Sequence, residues 1–458
     1  MIKQIIILLV SILCLIGCEN SVKRYTYFGG KIVHPMDSVV YVSGIDGFKD
    51  TLKLCSDKTF MGQYRTFRSG LYRFSHGFEH QYAYIEKNDS LMLRLNTWDF
   101  DESIVFTGKN AMRNNLLMEA FLQSEEDENY LKRHDYVGEK VFFQKADSLL
   151  NLKKIIIDAY ERNTKKISKE FLDFYEIILT YPIFIELEGY LHRKIAKNKS
   201  NNISFIKDKV DQYREKINLG RDSLVFYLPY KEYLCYKVYN DTRLKIKEQQ
   251  SEEYVIEFLK NINKEFSDEK IKNNFLYKII ALNFLNRTKG DNYQKAFFTY
   301  FKFSTDIKQK KEIQRLINDF NFIEKNDNLP NFKVEAPTGS WVDISELTKD
   351  KKSVVFFNNP KQSYYDQVIS KRFNYLQKKY PRINFILIQQ NKSNSEGYVK
   401  GINIEHQFKL IDESRAHSFL TSDFPRLMIL NEGGVVMNAF TGFFAPNIED
   451  QIESLLKN

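Results

Sequence analysis

The chain has 458 residues and a modest positive charge, because 68 lysine and arginine residues outnumber 59 aspartate and glutamate residues. The two signs are interleaved along the chain, as in the segment 207–216, whereas a nucleic-acid-binding surface needs a stripe of one sign. We therefore expect no nucleic-acid partner. A chain of this length is expected to divide into several domains.

The amino terminus carries the first recognisable motif. Lys3 is followed by a nearly continuous apolar run from Ile5 to Ile16. A run of this length is too short to span a bilayer and predicts a signal peptide over residues 1–17. It ends in Leu-Ile-Gly followed by Cys18, and this ending resembles the lipobox of bacterial lipoproteins.

The lipobox resemblance implies cleavage before Cys18 and attachment of lipid to the Cys18 sulfur, with palmitate among the acyl groups. Membrane lipid would then hold the chain through Cys18, with residues 18–24 as a tether and without a spanning segment. We expect a location in the bacterial cell envelope, at the periplasmic face of the outer membrane. An ordinary secretory signal is the alternative.

Residues 25–110 contain short runs rich in Val, Ile, Tyr and Phe, separated by Gly, Asp and Asn at intervals typical of a β-sandwich. In Leu91–Leu95 the leucines alternate with other residues, which places them on one face of a strand. We predict an antiparallel β-sandwich. Its predicted strands are Tyr25–Phe28, Val39–Ser43, Thr51–Cys55, Phe60–Thr66, Leu71–Ser75, Tyr82–Glu86, Leu91–Asn96 and Ile104–Thr107.

Four short motifs occur in order along this segment: Asp50-Thr51, Lys58-Thr59-Phe60, Gly70-Leu71-Tyr72 and Asn88-Asp89-Ser90-Leu91. Their order resembles that of the β domain that precedes thioredoxin-like domains in many Gram-negative lipoproteins. That resemblance concerns architecture, and it implies no catalysis.

Residues 111–325 differ in composition from the segment before them. Glycine and proline are sparse, and apolar residues recur every three or four positions. Leu149, Leu152, Ile156 and Tyr160, for example, fall on a single helical stripe. We predict an α-helical domain here. A polar linker that ends at Pro330 follows it.

Residues 326–458 alternate strand and helix signals. Val354–Phe357 and Ile383–Ile388 are apolar on both faces and are separated by a helical pattern, which predicts a parallel pair of strands. Further signals predict a strand at Phe408–Ile411, a helix at Glu413–Leu420, a hairpin of Arg426–Leu430 with Val435–Phe440, and a last helix.

This order, with Leu329–Phe332, Trp341–Leu347 and Phe424-Pro425 at the matching places, resembles the thioredoxin-like, thiol-disulfide oxidoreductase type of domain found on envelope lipoproteins. The fold class we expect is therefore a multidomain α+β chain. It comprises the antiparallel β-sandwich, the helical middle domain and a thioredoxin-like α/β domain at the carboxy terminus.

The thioredoxin-like family carries two cysteines soon after its first central strand. Alignment on Asn359-Pro360 puts these positions at Gln362 and Tyr365, and a shorter loop puts them at Lys361 and Tyr364. Neither alignment supplies a thiol, and no cysteine occurs after Cys235. Because disulfide exchange requires a thiolate, we expect no thiol-redox activity and no cofactor.

Pro425 matches the family's proline that follows a cis peptide bond opposite the cysteine pair. We therefore predict a cis bond before Pro425, with a trans proline that opens an edge strand as the alternative. A groove beside this proline could hold an extended peptide by strand addition. Its predicted lining residues are Pro360, Lys361, Gln362, Tyr365, Phe424 and Pro425.

Other residues that suggest chemistry have simpler interpretations. His76 and His80 have the i, i+4 spacing of a zinc site, but they lie in predicted strands, where that spacing separates them by about 13 Å. Asp99, Asp101 and Glu102 are expected to form a solvated loop. We predict no metal site, and we expect Cys55 and Cys235 to stay unpaired.

Three functions stay open at this point. The first is a lipid-anchored envelope protein whose redox-inactive thioredoxin-like domain binds a peptide or another envelope protein. The second is an envelope thiol-disulfide oxidoreductase that uses Cys55 or Cys235 from another domain. The third is an accessory protein that handles glycans at the cell surface, which the abundance of aromatic residues suggests.

Overall fold

The computed structural model describes residues 25–44, 47–164, 168–197, 202–217, 227–249, 251–287, 293–359, 366–390 and 397–457. The chain divides into two compact units, Met1–Tyr236 and Lys237–Asn458, called here the amino-terminal and the carboxy-terminal unit. The helical segment that we predicted as one domain at 111–325 is thus shared between the two units. None of the described helices is both long enough and apolar enough to cross a bilayer.

The amino-terminal unit begins with two four-stranded sheets, whose strand orders are β4-β1-β7-β8 and β3-β2-β5-β6. Phe74 packs against Phe28 and Phe106 of the other sheet, with ring centroids 5.8 and 6.3 Å apart, so the sheets lie face to face. All eight predicted strands are present. They are β1 (Thr26–Val33), β2 (Val39–Ser43), β3 (Lys49–Lys53), β4 (Thr59–Tyr64), β5 (Gly70–His76), β6 (Glu79–Ile85), β7 (Ser90–Asn96) and β8 (Val105–Lys109).

The prediction that the sandwich is antiparallel was wrong for one pair of strands, because β1 and β7 run parallel. The chain leaves β1, builds strands of the second sheet and re-enters in the same direction, as a parallel pair requires. Gly30 permits the close pairing. A β-carbon at this position would lie 2.1 Å from the carbonyl oxygen of Leu93 on β7.

Among the described residues, five helices follow, and the last of them crosses the boundary between the two units. Lys153 and Asp127 form a buried ion pair between two of these helices. The helix predicted around Leu149–Tyr160 is present, but Leu152 is 48% exposed, since the buried face carries Lys153 instead. The helices are α1 (Ala111–Arg133), α2 (Glu139–Asn163), α3 (Lys169–Lys197), α4 (Ile203–Arg214) and α5 (Leu228–Lys245).

In the part of the chain that the structure describes, four further helices open the carboxy-terminal unit. Three begin at side chains that accept hydrogen bonds from the free N–H groups of the first turn, namely Ser251, Asp268 and Asp306. The helices are α6 (Glu252–Glu265), α7 (Glu269–Leu285), α8 (Gln294–Phe303) and α9 (Ile307–Phe322).

A seven-stranded sheet completes this unit in the order β10-β9-β13-β12-β11-β14-β15. Its strands are β9 (Lys333–Glu335), β10 (Trp341–Asp343), β11 (Ser353–Asn358), β12 (Asn384–Gln389), β13 (Gln407–Leu410), β14 (Arg426–Leu430) and β15 (Val436–Thr441). The helices between and after them are α10 (Ile344–Thr348), α11 (Asp366–Lys379) and α12 (Ile448–Lys457).

The connections within this sheet have the thioredoxin-like order. Strand β11 runs parallel to β12, with α11 between them in the chain, and antiparallel to β14, which forms a hairpin with β15 before α12. The core includes Phe356 and Phe443, whose rings stack with centroids 4.2 Å apart. This part of the prediction is confirmed.

One predicted element of this domain was wrong. The segment Glu413–Leu420 was expected to form a helix, but it contains only a single 3-10 turn at Arg415–Ser418. Ser414 uses its side chain to accept from the N–H of Ala416 and to donate to the carbonyl of Lys333, which ties the turn to β9. Local side-chain bonding of this kind competes with helix formation.

Candidate functional site

The expected site lies at the carboxyl end of β11, where the chain leaves the sheet. Of the predicted groove residues, Pro360, Lys361, Gln362 and Tyr365 lie outside the described residues, as does the predicted lipid attachment point Cys18. Phe424 and Pro425 are described. The described part of the site consists of the end of β11, the loop before β14 and the helices that pack against that loop.

The predicted cis bond before Pro425 was wrong. No cis peptide bond occurs within the described ranges, so the Phe424–Pro425 bond is trans. For a prolyl bond the trans form is more stable than the cis form by about 0.5–1 kcal/mol. Pro425 directly precedes β14, a position at which the sheet requires no hydrogen bond from a backbone N–H. The hairpin that suggested a cis bond forms equally well after a trans proline.

The two described groove residues differ in exposure. Phe424 is buried and packs against Tyr277 of α7, with ring centroids 5.4 Å apart. Pro425 is half-buried. A peptide that approaches this loop would therefore meet Pro425 rather than the Phe424 ring.

The end of β11 carries amide side chains instead of thiols. The Asn358 side-chain amide donates to Oε1 of Gln389 at 3.0 Å, and the Asn359 side chain donates to the carboxylate of Asp423 at 3.1 Å. Amides neither titrate near neutral pH nor act as nucleophiles. Both asparagines are buried, so this end of the strand is a polar, hydrogen-bonded part of the interior without a reactive group among its described residues.

Asp319 of α9 holds the loop before β14. Its carboxylate accepts from the N–H and hydroxyl groups of Thr421 and Ser422, with N–O distances of 2.9–3.1 Å. It also pairs with Arg426 at 3.1 Å, and both side chains are only 1% exposed. Five donor groups therefore converge on one buried carboxylate.

Arg426 is the first residue of β14 and is enclosed on several sides. Its guanidinium group donates to the carbonyl of Phe419 and lies 4.5 Å from the ring centroid of Phe440. Burial lowers the pKa of Arg426 to about 10, although the charge of Asp319 works against this shift. The guanidinium therefore remains charged at neutral pH and depends on Asp319 for compensation.

Glu312, two turns before Asp319 on α9, makes a second contact with the same loop. Its carboxylate accepts from the backbone N–H of Asp423 and pairs with Arg315 at 3.3 Å. Burial is the main cause of a raised pKa for Glu312, and the nearby Asp423 carboxylate adds to the effect. The backbone N–H groups of residues 421–423 are thus all taken by carboxylates of α9.

Sequence reasoning missed both of these carboxylates. Ile313, Leu316 and Asp319 are the buried residues of α9 and follow each other at helical spacing. The sequence did contain one signal. An aspartate on an otherwise apolar helical stripe indicates a buried charge, and a buried charge needs a partner. The identity of that partner, more than 100 residues further along the chain, could not be read from the pattern.

Two cysteines are described, and both belong to the amino-terminal unit. Cys55 is exposed and Cys235 is half-buried, and neither is part of a disulfide. His76 uses both ring nitrogens on backbone groups of residues 36–39. The described part of the chain contains no group of three or more His, Cys, Asp or Glu side chains that could hold a metal ion.

No protein-family model matches the chain, and no curated protein matches it in sequence. Solved structures do match part of it. The thioredoxin domain of a thiol-disulfide oxidoreductase from Bacteroides vulgatus is 16% identical, with 30% of this chain and 97% of that one covered and a TM-score of 0.23.

Two more solved structures give similar values. A thiol:disulfide interchange protein from Bacteroides sp. is 13% identical over 30% of this chain and 92% of its own, with a TM-score of 0.24. The pneumococcal exposed lipoprotein thioredoxin from Streptococcus pneumoniae is 15% identical over 28% and 100%, with a TM-score of 0.21. The thioredoxin-like fold of this chain rests on its own strand order.

The Asp319–Arg426 pair makes a testable contribution to stability. We expect Asp319→Ala to lower the free energy of unfolding by about 3–5 kcal/mol, because it leaves the Arg426 charge buried and uncompensated. Urea denaturation measures the change. Glu432→Ala, at an exposed carboxylate in the β14–β15 turn, is the matched control and should change it by less than about 0.5 kcal/mol.

A double variant separates the charge from the packing. Asp319→Leu combined with Arg426→Met should regain only the part of the loss that comes from the uncompensated Arg426 charge, since the donor groups of Thr421 and Ser422 still lack their acceptor. If Asp319→Ala costs no more than Glu432→Ala, the carboxylate does not hold the loop as described.

Proposed function

We propose that this chain is a lipid-anchored protein of the bacterial cell envelope whose thioredoxin-like domain binds a peptide or another envelope protein without redox turnover. The observation that carries the proposal is the absence of any cysteine after Cys235 in the sequence. The unit that contains the thioredoxin-like sheet, Lys237–Asn458, therefore has no thiol of its own.

The loop before β14 supports the same proposal. In a thioredoxin-like enzyme this loop faces the reactive cysteines and a passing substrate. Here Asp319 and Glu312 bind its backbone N–H groups at residues 421–423, and Asn359 binds the Asp423 side chain. A loop held in this way is suited to a fixed binding surface around Pro425, which is half-buried.

The membrane part of the proposal rests on the sequence before residue 25. The apolar run that ends in Leu-Ile-Gly-Cys18 supports lipid attachment at Cys18, with the chain held at the periplasmic face of the outer membrane. Two acyl chains or more would give stable anchoring, whereas a single chain gives only reversible binding.

Lipid attachment is tested by labelling. In cells grown with radioactive palmitate, we expect the full-length protein to be labelled and to sediment with membranes, and Cys18→Ala to lose the label. Cys14→Ala, at a cysteine inside the apolar run, is the matched control and should keep it. Label that survives Cys18→Ala would exclude a lipid on that sulfur.

Redox activity is tested by insulin reduction in the presence of dithiothreitol. With the chain from Glu19 onward, which includes every described residue, we expect no rate above the reagent alone, because the thioredoxin-like domain lacks a thiolate. Thioredoxin serves as the positive control.

The same assay addresses the alternative, an envelope thiol-disulfide oxidoreductase that uses a cysteine of the amino-terminal unit. The exposure of Cys55 is the observation that favours it. Turnover that disappears in Cys55→Ser or Cys235→Ser would establish the alternative and contradict the redox-inactive proposal.

A further inference from the structure

Two aromatic rings stack on the surface of the amino-terminal unit. The imidazole of His34 and the indole of Trp98 lie parallel within 3°, with centroids 3.9 Å apart. Trp98 is nevertheless 74% exposed, so one face of the indole is covered by His34 and the other is open to solvent. We call this pair the platform.

The backbone on both sides of the platform is held by hydrogen bonds. Thr97 donates its N–H to the carbonyl of Val33 at 3.2 Å, and its hydroxyl group donates to the carbonyl of His34. Trp98 lies in the loop of residues 97–103. Ser103 holds the two ends of this loop together, because it donates its N–H to the carbonyl of Asp99 and its hydroxyl oxygen accepts from the N–H of Asn96. The open indole face is therefore presented in a fixed position before any ligand arrives.

The segment that follows His34, residues 35–39, is held by the buried side chain of His76. Nε2 of His76 accepts from the N–H groups of Met36 and Asp37 at 2.9 and 3.3 Å. Met36 and Phe78, which flank this histidine, are 64% and 96% exposed. Large apolar side chains with this exposure indicate a contact surface where they lie together.

The charge of the two loops indicates what kind of ligand fits. Residues 34–38 and 97–103 contain the carboxylates of Asp37, Asp99, Asp101 and Glu102 and no lysine or arginine, in a chain whose net charge is +9. Anionic lipids and acidic glycans would be repelled here. Protein interfaces are enriched in Trp, Phe and Met, which occur here, but they are depleted in Asp and Glu at their centres, and the four carboxylates of these loops disfavour a protein partner.

A neutral sugar matches both features of the surface. One face of a pyranose ring presents C–H groups, which pack on the electron-rich face of an aromatic ring. Its hydroxyl groups donate hydrogen bonds, and ionised carboxylates only accept them. We propose that Trp98, backed by His34, is the stacking platform of a binding site for neutral glycans. This site lies in the amino-terminal unit and does not rest on the function proposed for the thioredoxin-like domain.

The tryptophan content of the chain allows a direct test. Trp98 and Trp341 are the two tryptophans, so Trp341→Phe leaves Trp98 as the only indole. Neutral hexasaccharides of glucose, mannose, xylose and N-acetylglucosamine are titrated into this variant of the chain from Glu19 onward. We expect at least one of them to change the fluorescence saturably, and the same sugar to leave a Trp98→Phe variant unchanged.

Calorimetry with the responding sugar measures the contribution of the platform. We expect Trp98→Ala to weaken binding about tenfold or more, which corresponds to about 1.4 kcal/mol, since it removes the whole stacking face. Trp341→Ala, at a tryptophan that is 57% exposed in the other unit, is the matched control and should bind as the parent does.

Three results would overturn the proposal. They are the absence of binding to every sugar of the panel, binding that Trp98→Ala leaves unchanged, and Trp98-dependent binding to phosphatidylglycerol vesicles or to a second copy of the chain without any sugar binding. Because Trp98 is exposed, its substitution is not expected to unfold the protein, and an unchanged circular dichroism spectrum verifies this.

Discussion

The carboxylate of Asp319 accepts hydrogen bonds from five donor groups in the core of the carboxy-terminal unit. Four of them belong to Thr421 and Ser422, and the fifth is the guanidinium of Arg426. Removing two opposite charges from water is costly, and further hydrogen bonds to both groups offset that cost. Here every polar atom of the pair except the buried Nε of Arg426 contributes, since that atom has no hydrogen-bond partner among the described residues. These bonds fix α9, the loop before β14 and the start of β14 in one arrangement.

This arrangement determines which groups near the loop before β14 stay accessible. The backbone donors of residues 421–423 are bound by Asp319 and Glu312, and Phe424 is covered by Tyr277. At the end of β11, Asn358 and Asn359 are buried and bind Gln389 and Asp423. The exposed residues Thr421 and Asp423 and the half-buried Pro425 are therefore what the described part of this region leaves accessible.

The strands were the most predictable part of the fold. In β7 the leucines alternate and all three are buried, because successive side chains of a strand point to opposite faces. In β11 and β12 the apolar run is continuous, because both faces of this central pair are covered. Patterns that depend on near neighbours in the sequence gave correct results.

Two kinds of error occurred. The parallel pairing of β1 and β7 and the partner of Asp319 depend on residues far apart in sequence. The missing helix at Glu413–Leu420 and the trans bond before Pro425 reflect local preferences that the pattern did not reveal. The buried face of α2 carries Phe142, Phe143 and Ala146 together with Lys153, which pairs with Asp127, and it leaves the predicted stripe through Leu152 partly exposed. Of the predicted groove, only Phe424 and Pro425 are described, and the sequence did not indicate that a helix of the same unit would cover Phe424.

The carboxylates of Asp319 and Glu312 on α9 fix the loop before β14. Hydrogen exchange at the backbone amides of Thr421, Ser422 and Asp423 tests this most directly. We expect these amides to exchange as slowly as those of β11 and β14, because their exposure requires Asp319 and Glu312 to release them. Exchange as fast as that of an exposed loop, in a protein whose β11 amides are protected, would contradict it.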